Sequence, residues 1–132
     1  MIAIDTNVIL RLIVGDDPQQ LAVARALIAS ERVLVPLTAT LECEWVLRSF
    51  YKYPPGAIAG AIDAMMVLDN IEFEHADGVR WALERLIAGA DFADMVHMVQ
   101  GKAAHATIFA TFDGGVEGEA GGLTPLPVHT LA

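Results

Sequence analysis

The sequence has one cysteine, few basic residues and no long apolar run. Cys43 has no second cysteine to pair with, and its place in a helical pattern predicts a buried thiol. The longest apolar run, residues 57–68, contains Gly60 and Asp63 and falls short of the roughly 18 residues that cross a membrane. Residues 1–5 carry no basic residue and reach a carboxylate too early for a signal peptide. We therefore expect a cytoplasmic protein without a membrane segment.

Basic residues are outnumbered, because eight Lys and Arg stand against 17 Asp and Glu, which gives a net charge of −9. Proteins that bind nucleic acid usually carry a basic surface, so this balance argues against RNA or DNA as a ligand. The exception is a cluster of carboxylates that holds divalent metal ions, since the ions present positive charge to a phosphodiester. The apolar fraction of 55% is high and predicts an apolar surface that a partner or a second copy covers.

Short apolar segments alternate with helical patterns along the chain, which predicts a single α/β domain over residues 1–132. Strands are predicted at 1–4, 32–36, 71–73, just before Asp113 and within 123–131; helices are predicted at 8–14, from Pro18, and at 38–52, 57–68, 77–88 and from Asp91. This order favours a short, mainly parallel central sheet of four to five strands with helices on both faces. The segment 114–122, rich in glycine and acid, is predicted to be a mobile loop.

Four acids stand out by their positions in this pattern. Asp5 and Asp113 end predicted strands, while Glu42 and Asp94 lie on predicted helices. Three of them have an ordinary local explanation, since Asp5 suits a helix N-cap, Asp94 suits the third helical position after an N-cap at Asp91, and Asp113 precedes a Gly-Gly turn. If the two strands are neighbours in a parallel sheet, however, all four carboxylates meet at its carboxyl edge.

The helix at 38–52 carries the most informative of these acids, Glu42. Glu44, Arg48 and Lys52 are spaced i, i+4, i+8 and predict a solvated charged face. Glu42 lies outside that stripe, at the margin of the apolar face, where a carboxylate needs a partner or a metal. Extension of its side chain to water, or pairing with an arginine, is the alternative.

Clustered carboxylates without a basic residue raise one another's pKa, and a hard divalent cation relieves this repulsion. Oxygen ligands select Mg²⁺ or Mn²⁺, and His97 and His105 lack the spacing of a zinc site. No Ser, Cys or His arrangement suits a covalent nucleophile, so hydrolysis by metal-activated water is the favoured chemistry.

Four sequence blocks together resemble the PIN-domain family, and are most similar to its VapC-type toxins. The blocks are Ile4-Asp5-Thr6-Asn7, the helix segment from Thr38 to Glu42, Asp91-Phe92-Ala93-Asp94, and Thr111-Phe112-Asp113. The resemblance covers essentially the whole chain. It implies a PIN-like three-layer α/β/α sandwich and a Mg²⁺- or Mn²⁺-dependent endoribonuclease that is the toxin of a type II toxin-antitoxin pair.

The resemblance also assigns roles to residues. It implies that Asp5, Glu42, Asp94 and Asp113 are the catalytic acids and metal ligands. Thr6, Asn7 and Thr111 would support the site, and Asp91 is either a further member or only a helix cap.

The partners implied are an RNA substrate, a second copy in a homodimer, and a cognate antitoxin whose C-terminal segment blocks the acidic site. The apolar helix with Trp45, Phe50 and Tyr51 is a candidate part of the antitoxin groove. The segment 114–122 departs from the family, because Glu117 and Glu119 stand where such proteins often have a basic residue. Basic contacts to RNA are then left to four residues, Arg11, Arg48, Lys52 and Lys102.

Two other function classes stay open at this point. A catalytically silent PIN-like binding module would keep the acids for folding alone, and it would bind no Mn²⁺ in calorimetry. A two-component receiver domain is also small, α/β and acidic at one sheet edge. It requires a phosphorylated Asp after a middle strand and a Lys after a later one, whereas the strand at 32–36 ends in no acid and Lys102 lies within a predicted helix.

Overall fold

A computed structural model describes residues 1–132, and the chain divides into two compact units, Met1–Ala76 and Asp77–Ala132. The N-terminal unit contains β1 (Ile2–Ala3), α1 (Thr6–Val14), α2 (Pro18–Ser30), β2 (Val33–Val35), α3 (Leu37–Ser49), α4 (Pro55–Met66) and β3 (Ile71–Phe73). The remaining elements are α5 (Ala76–Ile87), α6 (Phe92–Ala103), β4 (Phe109–Thr111), α7 (Val116–Ala120) and β5 (Val128–Thr130).

All strand pairs are parallel, which confirms the predicted α/β fold class. The N-terminal sheet has the order β1-β2-β3, with Ile2 opposite Val33 and Val33 opposite Ile71. The second sheet pairs β4 with β5, and Phe109 lies opposite Val128. Asp5 follows a strand of the first sheet and Asp113 a strand of the second, so the expected adjacency of these two strands is not found. The reason is that β1 forms its ladder with β2, and β4 forms its ladder with β5.

Three helices begin where the sequence places an aspartate cap. Asp5 Oδ1 accepts a hydrogen bond from Val8 N at 3.1 Å at the start of α1. Asp17 caps α2 in the same way, with Pro18 at the first helical position. Asp91 Oδ2 accepts from Asp94 N at 3.1 Å and begins α6. Each side chain satisfies a backbone N–H that has no partner inside its helix.

Each unit buries apolar side chains that recur at helical spacing or on short strands. In the N-terminal unit the largest fully buried side chains are Ile9, Val33, Val35, Leu47, Ile58 and Ile62. In the C-terminal unit they are Val79, Leu83, Phe92, Met95, Met98 and Val116. No helix has both the length and the apolar character needed to cross a membrane.

The segment 114–122 is not the open loop that its composition predicts. It contains α7, in which Val116 and Ala120 are buried at i, i+4 spacing. Arg85 Nε donates to the Glu119 backbone oxygen at 2.7 Å and holds the end of this short helix. The prediction was wrong because it relied on the high glycine content of the segment. Burial of Val116 and Ala120 stabilises the short helix by more than the low helix propensity of the glycines destabilises it.

Gly78 of α5 is the glycine with the closest neighbour, and replacing it with alanine is expected to destabilise the protein. A Cβ at Gly78 would lie 2.3 Å from Val99 Cγ1 and 3.3 Å from Val99 Cβ on α6. Valine in a helix is held in one rotamer, so the helices themselves must shift. Overpacking outweighs the better helix propensity of alanine, and we expect a net loss of about 1–2 kcal/mol in the free energy of unfolding. Urea denaturation measures this difference.

Gly60→Ala in α4 is the matched control for Gly78→Ala. A Cβ at Gly60 meets no atom within 4 Å, so only helix propensity changes. A gain of up to about 1 kcal/mol is expected. Equal effects of the two substitutions would contradict the close contact between Gly78 and Val99.

Cys43 is buried in α3, as its sequence setting predicts, and its thiol is expected to be unreactive in the folded protein. Burial, together with the neighbouring charge of Glu44, raises the pKa of Cys43 to about 12. Because the thiolate is the reactive form, alkylation by iodoacetamide at mildly alkaline pH should be at least about a hundredfold slower than in the unfolded chain. Mass spectrometry with and without denaturant measures both rates. Rapid labelling of the native protein would contradict this burial.

Candidate acidic site

The fold changes the ionisation of Asp94. Its carboxyl is half-buried in the first turn of α6. Burial raises the pKa of Asp94, and the negative charge of Asp91, a hydrogen bond with Asp91 and the charge of Asp113 raise it further; the nearby His97 acts in the opposite direction. Three carboxylates therefore interact in the C-terminal unit, and their repulsion favours a cation or a proton at this place.

Asp113 is held at the end of β4 by its own local hydrogen bonds. Its Oδ1 accepts from Gly115 N at 2.8 Å, and its backbone N–H donates to Thr111 Oγ1 at 3.0 Å. The turn predicted before Gly114 and Gly115 is therefore present. Thr111 therefore fixes the backbone from which the carboxylate extends. The second carboxylate oxygen of Asp113 has no protein hydrogen bond and stays available.

Asp5, Thr6 and Asn7 lie at the junction of β1 and α1 in the N-terminal unit. Asp5 and Asn7 are exposed, whereas Thr6 is buried at 9% exposure. One oxygen of Asp5 caps α1, so its second oxygen is the atom that can bind a ligand. Asp5 and Asn7 line a surface pocket formed by residues of α1 and α2.

The structure reverses the predicted burial of the two glutamates of α3. The sequence predicts that Glu44 is solvated and that Glu42 lies at the margin of the apolar face. Glu42 is exposed, whereas Glu44 is buried at 2% exposure and accepts a hydrogen bond from Arg48 Nε at 2.7 Å. The predicted solvated stripe was wrong because Thr40 and Cys43 are buried with Glu44 at spacings of three and four residues, on the packed face. Lys52 lies beyond the end of α3, so the charged stripe does not continue to it.

This correction changes what Glu42 can do. Its carboxylate no longer needs a protein partner to offset burial, and water or a ligand can reach it. Glu44 is a structural acid that sequence reasoning missed. The signal that could have found it is the spacing of Thr40, Cys43, Glu44 and Leu47 at i, i+3, i+4 and i+7, all of which are buried.

The basic residues named for RNA contact divide into two groups. Arg11 pairs with Asp16, and Arg48 pairs with Glu44, so both guanidinium groups already interact with carboxylates. Lys52 and Lys102 are exposed. Of the four residues, the two lysines are therefore the ones whose side chains form no ion pair within the protein.

The carboxylates suit a hard divalent cation by their chemistry, since they are oxygen donors that repel one another around Asp94. No group of three or more His, Cys, Asp and Glu side chains forms a ready-made metal site, however. His97 is exposed, and its charge opposes the rise in the Asp94 pKa. It is not accompanied by the His and Cys ligands that a zinc site requires.

Residues 2–117 match the PIN domain family, a range that includes all four acidic blocks and crosses both compact units. The chain belongs to the PIN-domain family. PIN domains are α/β sandwiches, are generally nucleases and usually use divalent metals such as Mg²⁺. Comparison with curated proteins finds no match. Family membership sets aside the receiver-domain alternative, because a receiver is a different family.

Proposed function

We propose that this PIN domain is a metal-dependent endoribonuclease, and that it is the VapC-type toxin of a type II toxin-antitoxin pair in the cytoplasm. The observation that supports it best is the Asp94 carboxyl, half-buried and next to the charges of Asp91 and Asp113 within a matched PIN domain. Carboxylates that are held close enough to repel one another are typical of sites that bind a cation.

The residues proposed to hold Mg²⁺ or Mn²⁺ are those that the family resemblance implies, namely Asp5, Glu42, Asp94 and Asp113. When bound, the ion supplies positive charge to a phosphodiester and lowers the pKa of water. Thr111 fixes the turn that carries Asp113, through the hydrogen bond from Asp113 N.

Asp91 and the residues after Asp5 act as supports in this proposal. Asp91 caps α6 and thereby fixes the first helical turn, which carries Asp94. Its charge also raises the cost of ionising Asp94 in the absence of a metal. Thr6 and Asn7 begin α1 directly after Asp5, so they lie beside the proposed ligand.

The proposal includes a cognate antitoxin and a homodimer as partners. Trp45 and Phe50 of the α3 region are 57% and 73% exposed, and the Phe50 and Tyr51 rings contact edge-to-face with centroids 4.9 Å apart. Exposed aromatic side chains of this size are typical of a surface that a protein partner covers. These three residues remain the proposed part of the antitoxin groove.

The nuclease is tested with a single-stranded RNA of mixed sequence, incubated with Mg²⁺, with Mn²⁺ or with EDTA. We expect internal cleavage only with a metal, and loss of at least about a hundredfold in Asp5→Asn. Asp63→Asn, an exposed acid on α4, is the matched control and should cleave at the wild-type rate. Cleavage in EDTA, or by Asp5→Asn at the control rate, would contradict the proposed metal chemistry.

The alternative is a catalytically silent binding module, and a measurement of metal binding distinguishes it from the nuclease. Calorimetric titration with Mn²⁺ should show binding to the wild type and weaker binding to Asp5→Asn. Absence of Mn²⁺ binding, together with absence of RNA cleavage, would favour the silent module. Growth arrest on induction, relieved by coexpression of a neighbouring small protein, would support the toxin role.

A further inference from the structure

A surface pocket of about 400 Å³ lies between α1 and α2, and Asp5 forms part of its wall. Apolar residues of α2, among them Val23 and Ala24, line one part of it. The amide side chains of Asn7, Gln19 and Gln20 line the rest together with Arg11. Apolar walls with a few polar groups in this volume range are typical of small-ligand sites.

Arg11 gives a second and independent indication of a ligand. One of its terminal nitrogens pairs with Asp16, whose other oxygen accepts from the Tyr51 hydroxyl at 2.9 Å. Its Nε is buried and has no hydrogen-bond acceptor in the protein. An unpaired buried N–H is costly, so a shift of the Arg11 side chain that brings this N–H to an acceptor atom of a bound group would stabilise the protein.

The charges around the pocket select the kind of group that fits. Asp5 contributes a negative charge, and the positive charge of Arg11 is already balanced by Asp16. A phosphate would therefore meet no uncompensated cation here. A neutral, flat group with hydrogen-bond donors and acceptors on its edge fits the apolar wall and the amides better.

We infer that this pocket binds an unpaired nucleobase of the RNA substrate, next to the phosphodiester that is cut. The inference depends on the proposed function, in which Asp5 is a metal ligand and the scissile phosphate lies near it. Proteins that read single-stranded RNA bind bases turned out of the stack through hydrogen bonds to their edges. Asn and Gln amides pair with base edges in this way. The pocket thus gives the nuclease a base preference beside the cleavage site.

Ala24→Leu tests the pocket by filling it from the buried side of α2, where Ala24 is 6% exposed. Ala26→Leu makes the same change on an exposed position of the same helix and is the matched control. Thermal melts establish that both variants fold. Should Ala24→Leu fail to fold, the double variant Gln19→Ala/Gln20→Ala removes two exposed amides and takes its place.

The first measurement uses adenosine, guanosine, cytidine and uridine as probes, without metal, and follows amide signals by NMR. We expect at least one nucleoside to shift signals of Asn7, Gln19, Gln20 and their neighbours. Ala24→Leu should weaken that binding about tenfold or more, while Ala26→Leu should leave it unchanged. No shift with any nucleoside, or equal binding by both variants, would overturn the inference. So would shifts at these residues caused only by an amphipathic helical peptide.

The second measurement maps cleavage sites in an RNA pool of random sequence with Mn²⁺. Wild type and Ala26→Leu should prefer one base at a fixed position beside the cut, and Ala24→Leu should lose that preference about tenfold. Cleavage with metal but without base preference would overturn the pocket and leave the nuclease intact. Nucleoside binding in a protein that cleaves no RNA would overturn the nuclease and support the pocket as a base site.

Discussion

Asp94→Asn is expected to abolish metal-dependent RNA cleavage and to remove a pH-dependent cost to stability. Loss of a proposed metal ligand should lower cleavage by at least about a hundredfold, since even outer supports of metal sites typically cost 10–100-fold. Asparagine keeps the size of the side chain and its place in the first turn of α6. The fold should therefore persist, as circular dichroism and thermal melts can check. Undiminished cleavage by the folded variant would contradict the role of Asp94.

The pH dependence of Asp94 has a definite sign. Its pKa is raised above the ordinary value of 3.8, because of burial first and then the Asp91 and Asp113 charges. The native state therefore binds the Asp94 proton more tightly than the unfolded state does. Without metal, this site lowers the free energy of unfolding as pH rises from about 3.8 through the raised pKa, and the loss persists above it.

Comparison of Asp94→Asn with the wild type isolates this effect. The variant lacks the titrating group, so the stability difference between the two proteins should shift in its favour as pH rises through that window. Denaturation in EDTA over a pH series measures the shift. A difference that does not change with pH would contradict the raised pKa of Asp94.

Metal binding should reverse the order of stability of the wild type and Asp94→Asn. A cation that binds only the native protein stabilises it by about 2.7 kcal/mol at a concentration a hundred times its dissociation constant. We expect Mn²⁺ to stabilise the wild type and Asp63→Asn alike, and Asp94→Asn much less. Equal stabilisation of all three would place the ion elsewhere.

Arg48→Met is expected to destabilise the N-terminal unit by about 3 kcal/mol, because it leaves Glu44 buried without its charged partner. The Glu44 side chain is 3% exposed and Arg48 Nε lies 2.7 Å from its Oε1. Methionine keeps much of the arginine stem, so the loss reflects the charge more than the packing. Urea denaturation of variant and wild type measures the difference.

Two control variants test whether the loss of stability comes from the unpaired charge of Glu44. Glu44→Leu/Arg48→Met replaces both charges and should recover most of the stability, since a paired apolar replacement leaves no buried charge. Arg80→Met breaks the exposed pair of Arg80 with Asp77 on α5 and should change little. If Arg48→Met costs no more than Arg80→Met, the carboxylate of Glu44 does not depend on Arg48.

Local features of this protein follow from the sequence alone. Asp5 and Asp91 cap helices as predicted, because a cap involves only the three residues that follow it. The acidic blocks likewise identified the PIN family, since a family's motifs lie in chain order and require no packing. The burial of Cys43 followed from the apolar pattern around it.

Tertiary structure decided the features that depend on a distant partner. Which face of α3 is packed sets the exposed Glu42 apart from the buried Glu44, because burial depends on the elements that cover the helix. Strand pairing put the strands before Asp5 and Asp113 in different sheets, because ladder partners are chosen across the fold. The raised pKa of Asp94 depends in part on Asp113, 19 positions along the chain, and only the folded unit makes those charges interact.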